Sequence, residues 1–421
     1  MPYLMLLFLI LLVPISSYAD DDFPEFKYSG LLDLRMASTD DTVSWTDKGL
    51  GKTRYGADSN SSSRTLGRLA SAALAVSTRF SWNYKGRLVL KYDPEQKDTL
   101  DVLEGFISYV PITTSSYRFK SRIGAFFPPI SLENKGVAWT SPYSITPSAI
   151  NSWVGEELKT LGAEATLLKS TDENRYSLTA AVYKANDPAG GILSYRGWAL
   201  HDRAIALNDR LPLSAITPFQ AGKAFAAQAP WVEPVGEIDG DWGYYIAGLW
   251  DYLDVAEFRA MYYDNRADPN AFDGEQYAWH TRFTSLGVKF ELEDDVDILA
   301  QHMSGNTLMG VGGPSNIFNA IDNDFSSFYL LVSKRYQAHR FTLRYDNFTV
   351  EDIDNGVLVP YDLNEEDGDA WTLAYTLRMK RKHLLMLEAM HVASNRPARA
   401  QIGAPVNIKE LQLQLSYRVF L

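Results

Sequence analysis

Alternation of apolar and polar side chains at the end of the chain constrains the fold more than any other feature. From Leu411 to Leu421, apolar residues occupy every second position, and four of the five positions between them are polar: two Gln, one Ser and one Arg, with Phe420 as the fifth. A period of two indicates a β-strand, because successive side chains point to opposite faces. A chain that ends on such a strand has a free edge to pair, and pairing with its first strand would close a barrel.

The same alternation predicts strands along the whole chain. The first is predicted at Lys27 to Met36, followed by Ser71 to Trp82 and Arg87 to Tyr92. Further strands are predicted near 103–110, 117–127, 159–168, 175–185, 242–253, 255–264, 278–292, 296–304, 325–335, 340–349, 370–379, 383–393 and 409–421. The total is about sixteen, and a single-chain bacterial barrel needs an even number. The registers near 242–253 and 278–292 stay ambiguous, since a shift by one residue would exchange the two faces.

Long loops alternate with short turns between these strands, which is typical of outer-membrane barrels. Two regions, about 128–157 and about 187–241, are too long for ordinary connections and are predicted to be functional loops. We therefore predict an all-β, transmembrane, antiparallel up-and-down barrel whose loop at about 128–157 folds into the lumen. A soluble β-sandwich is the alternative, because any half-buried antiparallel sheet alternates.

The first nineteen residues are predicted to be a signal peptide rather than part of the fold. An apolar run from Leu4 to Ile15 is followed by small residues at Ser17 and Ala19, which fits cleavage near Ala19. A retained N-terminal anchor is the alternative. Residues 20–421 then form one barrel domain in the outer membrane of a Gram-negative bacterium.

Composition excludes several classes of function. The chain has no cysteine, so disulfides and thiolate metal sites are absent, and its net charge of −12 argues against nucleic acid as a partner. The six histidines show no metal-binding spacing, and no nucleophile elbow or phosphate-binding loop is present. We predict no metal, no cofactor and no catalytic residue. A hydrolase whose Ser and His come from distant strands is a remaining alternative.

Basic residues collect on the polar parity of the predicted strands. Arg118, Lys120 and Arg122 lie at alternate positions about 7 Å apart, an arrangement that is repulsive unless the side chains face water or anions. If the apolar parity faces lipid, cations line the lumen and most acids lie in loops such as 351–369. Rings of Arg and Lys favour anions in pores. The predicted pore-lining residues are Arg118, Lys120, Arg122, Arg35, Arg79, Arg87, Lys91 and Arg344.

The segment after the Arg118 strand carries a resemblance to a known family. Residues 122–133, with Gly124, Pro129, Ser131, Leu132 and Glu133 as the core of the match, resemble the strand-and-loop signature of the phosphate-selective porin O/P family. The C-terminal strand similarly resembles the closing strand of outer-membrane barrels. The resemblance implies a sixteen-stranded trimeric channel with its third loop inside. The predicted constriction-loop residues are Glu133, Lys135, Trp139, Tyr143, Trp153, Glu156 and Glu157.

Together these features predict a porin that passes small hydrophilic solutes by passive diffusion, with a preference for anions. Its partners would be outer-membrane lipid, lipopolysaccharide, small anionic or polar solutes and two further copies in a homotrimer. A barrel hydrolase and a structural or adhesion barrel with a plugged lumen are the alternatives. A solid hydrophobic interior, or a sheet left open on one side, would contradict transport.

Overall fold

A computed structural model describes residues 23–57, 63–310, 319–354 and 363–421. Sixteen antiparallel strands form one closed barrel, so the predicted fold class is confirmed. The predicted signal peptide lies outside the described residues. In chain order the strands are β1 Glu25–Thr39, β2 Arg64–Arg79, β3 Tyr84–Tyr92, β4 Leu100–Tyr109, β5 Tyr117–Phe126, β6 Thr160–Ser170, β7 Asn174–Lys184, β8 Gly243–Tyr252, β9 Ala256–Asp264, β10 His280–Leu292, β11 Val296–Gly310, β12 Asn319–Tyr336, β13 His339–Asp352, β14 Glu366–Lys380, β15 His383–Asn395 and β16 Asn407–Phe420.

The last strand closes the barrel on the first. Strand β16 pairs antiparallel with β1, from Leu31 opposite Phe420 to Ser38 opposite Leu413. The free edge expected from the alternation at the C-terminus is therefore paired. Pairing leaves the whole sheet without an edge, which is the condition for a sheet to cross a membrane.

Connections at the two ends of the barrel differ in length. The turns at 80–83, 171–173, 253–255, 337–338 and 381–382 are short and lie at the end where the chain starts and stops. Connections at the opposite end are long, above all 127–159 and 185–242. In outer-membrane barrels the short turns face the periplasm and the long loops face outward. We refer to the two ends as the terminal end and the loop end.

The outer surface is apolar, as a membrane-embedded surface requires. Large apolar side chains on the outward parity are exposed, among them Leu34, Met36, Leu373 and Leu413. Tyr and Trp side chains ring both ends of this surface, a feature of outer-membrane barrels. Across the described ranges, no helix is both long and apolar enough to cross a bilayer.

Register in the two ambiguous regions follows from burial. In β8, Ile246 and Trp250 are exposed while Tyr245 is buried, and in β10 Leu286 is exposed while Phe283 is buried. These strands carry large aromatic residues on both faces, so the apolar pattern alone does not distinguish lipid from lumen.

Several strands extend beyond their predicted ends at the loop end. Strand β11 continues to Gly310 and β12 begins at Asn319, whereas the alternation predicted 296–304 and 325–335. Strand β2 begins at Arg64, whereas the alternation predicted a start at Ser71. In β11 and β12 the outward face of these extensions is largely polar, with Asn306 opposite Asp324, while Met309 and Ile321 on the inward face are buried. The apolar outward face that marks the membrane-spanning part therefore ends there.

Gly124, a core residue of the family resemblance, lies in β5 where only glycine fits. Its φ is +137°, and a Cβ atom there would lie 2.2 Å from the carbonyl oxygen of Gly105 on β4. A side chain would therefore clash with the neighbouring strand. The glycine allows β4 and β5 to approach closely just before the chain turns into the lumen.

Candidate functional site: the lumen and its inserted loops

The loop between β5 and β6 crosses the inside of the barrel. Its helix α1, Ala149–Glu157, contacts β12 and β13, while its segment Val137–Trp139 contacts β1 and β2. These strands are far apart around the barrel wall. A loop that touches both groups must lie within the lumen, and it narrows the passage.

Helix α1 starts where the loop is fastened by two carboxylates. Ser148 is the N-cap, and its side chain accepts from the Asn151 amide. Glu133 Oε1 accepts from the Ser148 amide at 2.8 Å and from Ser148 Oγ at 2.5 Å. Asp346 on β13 accepts from the Ala149 amide at 3.1 Å. Negative side chains at a helix N-terminus are favourable because the amide groups there have no other partner. The N-terminus of α1 is therefore fixed to the wall by Asp346 and to the earlier part of the loop by Glu133.

The wall holds the segment before α1 through buried ionic groups. Arg344 on β13 donates to the carbonyl oxygens of Thr146 at 2.7 Å and Pro147 at 3.0 Å, and to Asp346 at 2.7 Å. Glu388 on β15 accepts from the amides of Ile145 and Thr146. These charged side chains replace the backbone hydrogen bonds that a loop without secondary structure lacks. The loop is therefore bound to one side of the wall at several points.

Apolar packing fills the part of the lumen next to β8–β15. Trp153 of α1 is 1% exposed and packs edge-on against Trp198 and Phe283, with Phe325 5.3 Å away between ring centroids. Trp198 belongs to the second long loop, so both long loops share one core. The expectation of a wholly wet, charged lumen is wrong on this side. Alternation identified the two faces correctly, but the inward face here is itself apolar because two loops cover it.

The second long loop is held by ion pairs rather than by strands. Asp202 contacts both Arg35 on β1 and Arg54, each at 2.8 Å. Helix α2, Gly191–Arg196, ends on Arg196, which pairs with Glu156 of α1. All of these groups are nearly buried, so removing one partner would leave a charge out of water. The two loops are consequently tied to each other and to the first strand.

These ion pairs predict a defined pH dependence for loop docking. The Arg35 and Arg54 guanidinium groups hold the pKa of Asp202 below its ordinary value of 3.8, and Arg196 holds the pKa of Glu156 below 4.5, in both cases against the effect of burial. Burial lowers the pKa of His201, ordinarily 6.5, although Glu156 lies nearby. Lowered values mean that undocked loops take up protons more readily than docked ones, so docking weakens as pH falls.

We expect protease protection of the 185–241 loop to fall steeply below pH about 4.5, because the undocked carboxyl groups of Asp202 and Glu156 then gain protons more readily than the docked ones. Between pH about 8 and 4.5 the change should be small, because burial raises the pKa of Glu157 to about 8 and this opposes the lowered pKa of His201. Limited proteolysis of the folded protein between pH 3 and pH 8 measures this. Protection that increases on acidification below pH about 4.5 would contradict the assignment of these ion pairs.

The eight predicted pore-lining residues fall into two groups. Arg35, Lys91 and Arg344 are buried and bonded to loop atoms, so they fasten the loops instead of lining open water. The remaining five are at least partly exposed on the inner wall toward the terminal end: Arg79, Arg87, Arg118, Lys120 and Arg122.

The seven predicted constriction-loop residues also divide by burial. Only Lys135 is exposed, and Trp139 is partly buried. Glu133 accepts hydrogen bonds at the N-terminus of α1. The ring centroid of Tyr143 lies 4.9 Å from the guanidinium carbon of Arg340. The other three, Trp153, Glu156 and Glu157, are buried where the two long loops meet.

A water-exposed vestibule at the terminal end collects positive charge. Arg118 and Lys120 are exposed, and among the described residues neither has a carboxylate partner within ion-pair distance. Arg122 pairs with Glu164 at 2.8 Å, and Lys135 lies 3.6 Å from Glu257. Under the inserted loop a cavity of about 180 Å³ is lined by residues that include Lys120, Pro129, Ile130 and Arg259. The vestibule therefore presents an excess of cations to entering solutes.

Sequence reasoning missed several groups that hold the loops. Asp202, Arg54 and Arg196 lie in loops, where the pattern gave no facing, and Glu388 is an inward acid on β15. Glu366, assigned to an acidic loop, begins β14 and is buried between Lys52, Arg396 and Arg399. One available signal was the largely apolar segment 189–200 inside the predicted loop at about 187–241, since apolar residues are most often buried.

Three carboxylates at the loop end approach one another closely enough to hold a cation. The ligand oxygens of Asp187, Glu237 and Asp239 lie within 4.8 Å of one another. The Asp187 side chain already accepts from the Ile238 and Asp239 amides, and burial raises its pKa to about 7. The cluster is accounted for by its own hydrogen bonds.

Comparison with known structures shows what the architecture is similar to. The outer-membrane channel DcaP of Acinetobacter baumannii superposes with a TM-score of 0.60 at 9% identity, covering 97% of this chain and 100% of that chain. An anion-selective porin from Comamonas acidovorans gives 0.51 at 10% identity, with 94% and 100% covered. Salmonella typhi OmpF gives 0.52 at 9%, with 95% and 99% covered.

At these identities the likeness concerns the fold, which is that of Gram-negative outer-membrane porins. The outer-membrane location predicted from the sequence agrees with this fold and with the apolar outer surface. No family model matches the chain, and no curated protein matches it in sequence.

Proposed function

We propose that this chain is an outer-membrane diffusion channel for small anionic or polar solutes. The observation that carries the proposal is the basic vestibule, because Arg118 and Lys120 point into water without a carboxylate partner among the described residues. Uncompensated cations at the mouth of a narrow passage raise the local concentration of anions and exclude cations. The buried ionic groups deeper in the lumen fasten loops and contribute little to selectivity.

Further features belong to the same proposal. The resemblance around Gly124 and Glu133 supports a relationship to the phosphate-selective porin O/P family, with phosphate as one candidate solute. We propose a homotrimer in contact with outer-membrane lipid and lipopolysaccharide, reached after cleavage near Ala19. A trimer form of OmpT, an outer membrane protein of Vibrio cholerae with a similar fold, supports this assembly.

A plugged structural barrel is the second candidate, and the buried core around Trp153 favours it. In that case the loops would stay docked and the wall would serve only as a scaffold. Conductance distinguishes the two, since a plugged barrel carries no current whatever the charge of its vestibule.

Charge reversal in the vestibule tests the proposed selectivity. In a KCl gradient, the parent channel should give a zero-current potential whose sign indicates a preference for chloride. We expect the double variant Arg118→Glu and Lys120→Glu to shift this potential toward the value expected for a preference for potassium. One unit charge about 6 Å from an ion contributes about 0.7 kcal/mol in water, so two reversals can change the permeability ratio about tenfold or more before screening. Planar-bilayer recording measures the shift.

The matched control reverses two cations on the outward face of the barrel, Lys169→Glu and Lys409→Glu, whose side chains are exposed next to the outward residues Leu167 and Leu411. This control should keep the parental potential. An unchanged potential in the Arg118 and Lys120 variant would show that the vestibule does not determine selectivity.

A further inference from the structure

An apolar band crosses the inner wall of β2–β4 between two charged zones. In β3 the inward residues run Arg87, Val89, Lys91 from the terminal end to the loop end, and Val89 is 0% exposed. In β2 the buried Ala73 and Ala75 lie between Arg68 and Arg79 in the same way. The band is made of Ala73, Ala75, Val89 and Leu103, and Phe127 and Ala204 of the two long loops belong to the same cluster.

The inserted loop presses its least buried segment against this band. We call Lys135–Thr140 the strap. Val137, Ala138 and Trp139 pack on the band, while Phe127 stacks on Trp139 with ring centroids 4.3 Å apart. The strap carries no charge between Gly136 and Thr140. The lumen next to β2–β4 is therefore lined by apolar side chains at the strap, with charged residues toward the terminal end and toward the loop end.

The strap is fastened more weakly than the remainder of the loop. Residues 143–157 are buried and bonded to wall charges, whereas Lys135 and Gly136 are exposed and the next four are only partly buried. Its hydrogen bonds stay within the loop: the Gly136 amide donates to the Thr140 carbonyl, and the Trp139 indole donates to the Asn151 carbonyl. Among the ion pairs of the described residues, the strap contributes one to the wall, between the exposed Lys135 and Glu257 of β9, whose charged atoms lie 3.6 Å apart. Moving the strap therefore breaks no fully buried ion pair.

Backbone conformation also marks the strap as a segment with an alternative state. Ala138 has φ 59° and Trp139 has φ 62°, so two consecutive residues with side chains are in the left-handed region. Such residues are strained unless their surroundings hold them. Movement away from the band would release that strain.

We propose that the strap and the apolar band form a hydrophobic gate in the lumen. This inference rests on the proposed channel function and specifies how the channel is regulated. With the strap docked, ions meet an apolar constriction that water leaves readily, and such constrictions block conduction without a physical plug. With the strap displaced, the water-exposed zone around Arg87 extends over the band toward Lys91, which stays bonded to Asp209 and to the Ala204 carbonyl of the second long loop. Trp139 is the largest part of the closure and Val89 is its centre on the wall.

Three variants and one control test the gate by single-channel recording. Trp139→Ala removes the largest strap side chain. Val89→Ser places a hydroxyl group in the band, and the serine side chain is no larger than the valine side chain that it replaces. We expect each to raise the open fraction roughly tenfold or more, because large buried apolar groups contribute strongly to closed packing. Trp139→Phe should retain most of the closure. Trp242→Ala, at an exposed tryptophan outside the lumen, should behave as the parent.

The outcomes separate the gate from the channel proposal. Folding of each variant is verified first by heat-modifiable gel mobility, and Val89→Ser serves if Trp139→Ala does not fold. A conducting parent with unchanged open fraction in both variants overturns the gate and leaves the channel intact. If neither the parent nor either folded variant carries a current, the channel proposal itself is overturned. A rarely open parent with frequently open variants supports both.

Discussion

Replacing Arg344 with alanine should release the 128–157 loop from the wall. The Arg344 side chain is fully buried and bonds to Asp346 and to two carbonyl oxygens of the loop. Its loss leaves the buried Asp346 carboxylate without its cation. Breaking a buried ion pair in this way costs about 3–5 kcal/mol. Since each 1.4 kcal/mol is a factor of ten, the undocked population should rise roughly a hundredfold or more.

Protease cleavage within 128–157 of the folded protein measures that population, and single-channel conductance should increase with it. Arg335→Ala is the control, since Arg335 pairs with Asp295 at the exposed terminal end. Such surface pairs contribute about 0–1 kcal/mol, so this variant should resemble the parent. Equal protection of the loop in Arg344→Ala and parent would show that Arg344 does not anchor it.

Replacing Asp202 with alanine should undock the second long loop. Asp202 lies between Arg35 and Arg54, and Arg54 has no other carboxylate within ion-pair distance among the described residues. Arg35 keeps Asp33 at 2.6 Å, so the main effect falls on Arg54. We expect a loss of about 3 kcal/mol in docking, measured as faster cleavage within 185–241.

A double-mutant cycle separates the pair from general damage. If Asp202 acts through Arg54, then Asp202→Ala combined with Arg54→Ala should destabilise docking by less than the sum of the two single changes. Asp209→Asn is a poorer control because Asp209 pairs with Lys91. Asp273→Ala, at an exposed residue of the loop end, is suitable. Strict additivity would mean that the contact contributes no coupling energy.

Alternation predicted the barrel because the membrane imposes it. A strand between lipid and lumen must present one apolar face, so strands such as β16 were found within a few residues. The closing pair of β1 and β16 followed from the free edge at the C-terminus. The strand count and the presence of an inserted loop were likewise accessible, because long structureless connections are rare in compact folds.

The contents of the lumen were not accessible in the same way. Arg35 and Arg344 were assigned to open water because the parity rule distinguishes lumen from lipid but not water from a packed loop. Trp153 and Trp198 meet from loops about forty residues apart, a contact that no local period reports. Exposed cations such as Lys120 and buried ones such as Arg344 have the same sequence signature and differ only in their tertiary partners.

The zero-current potential of the purified, folded parent protein in a planar bilayer with a KCl gradient tests the central claim most directly. A channel with uncompensated cations at its vestibule should give discrete current steps and a zero-current potential whose sign indicates that chloride permeates more readily than potassium. A zero-current potential that indicates a preference for potassium, or a folded barrel that carries no current, would contradict the proposed anion-preferring channel.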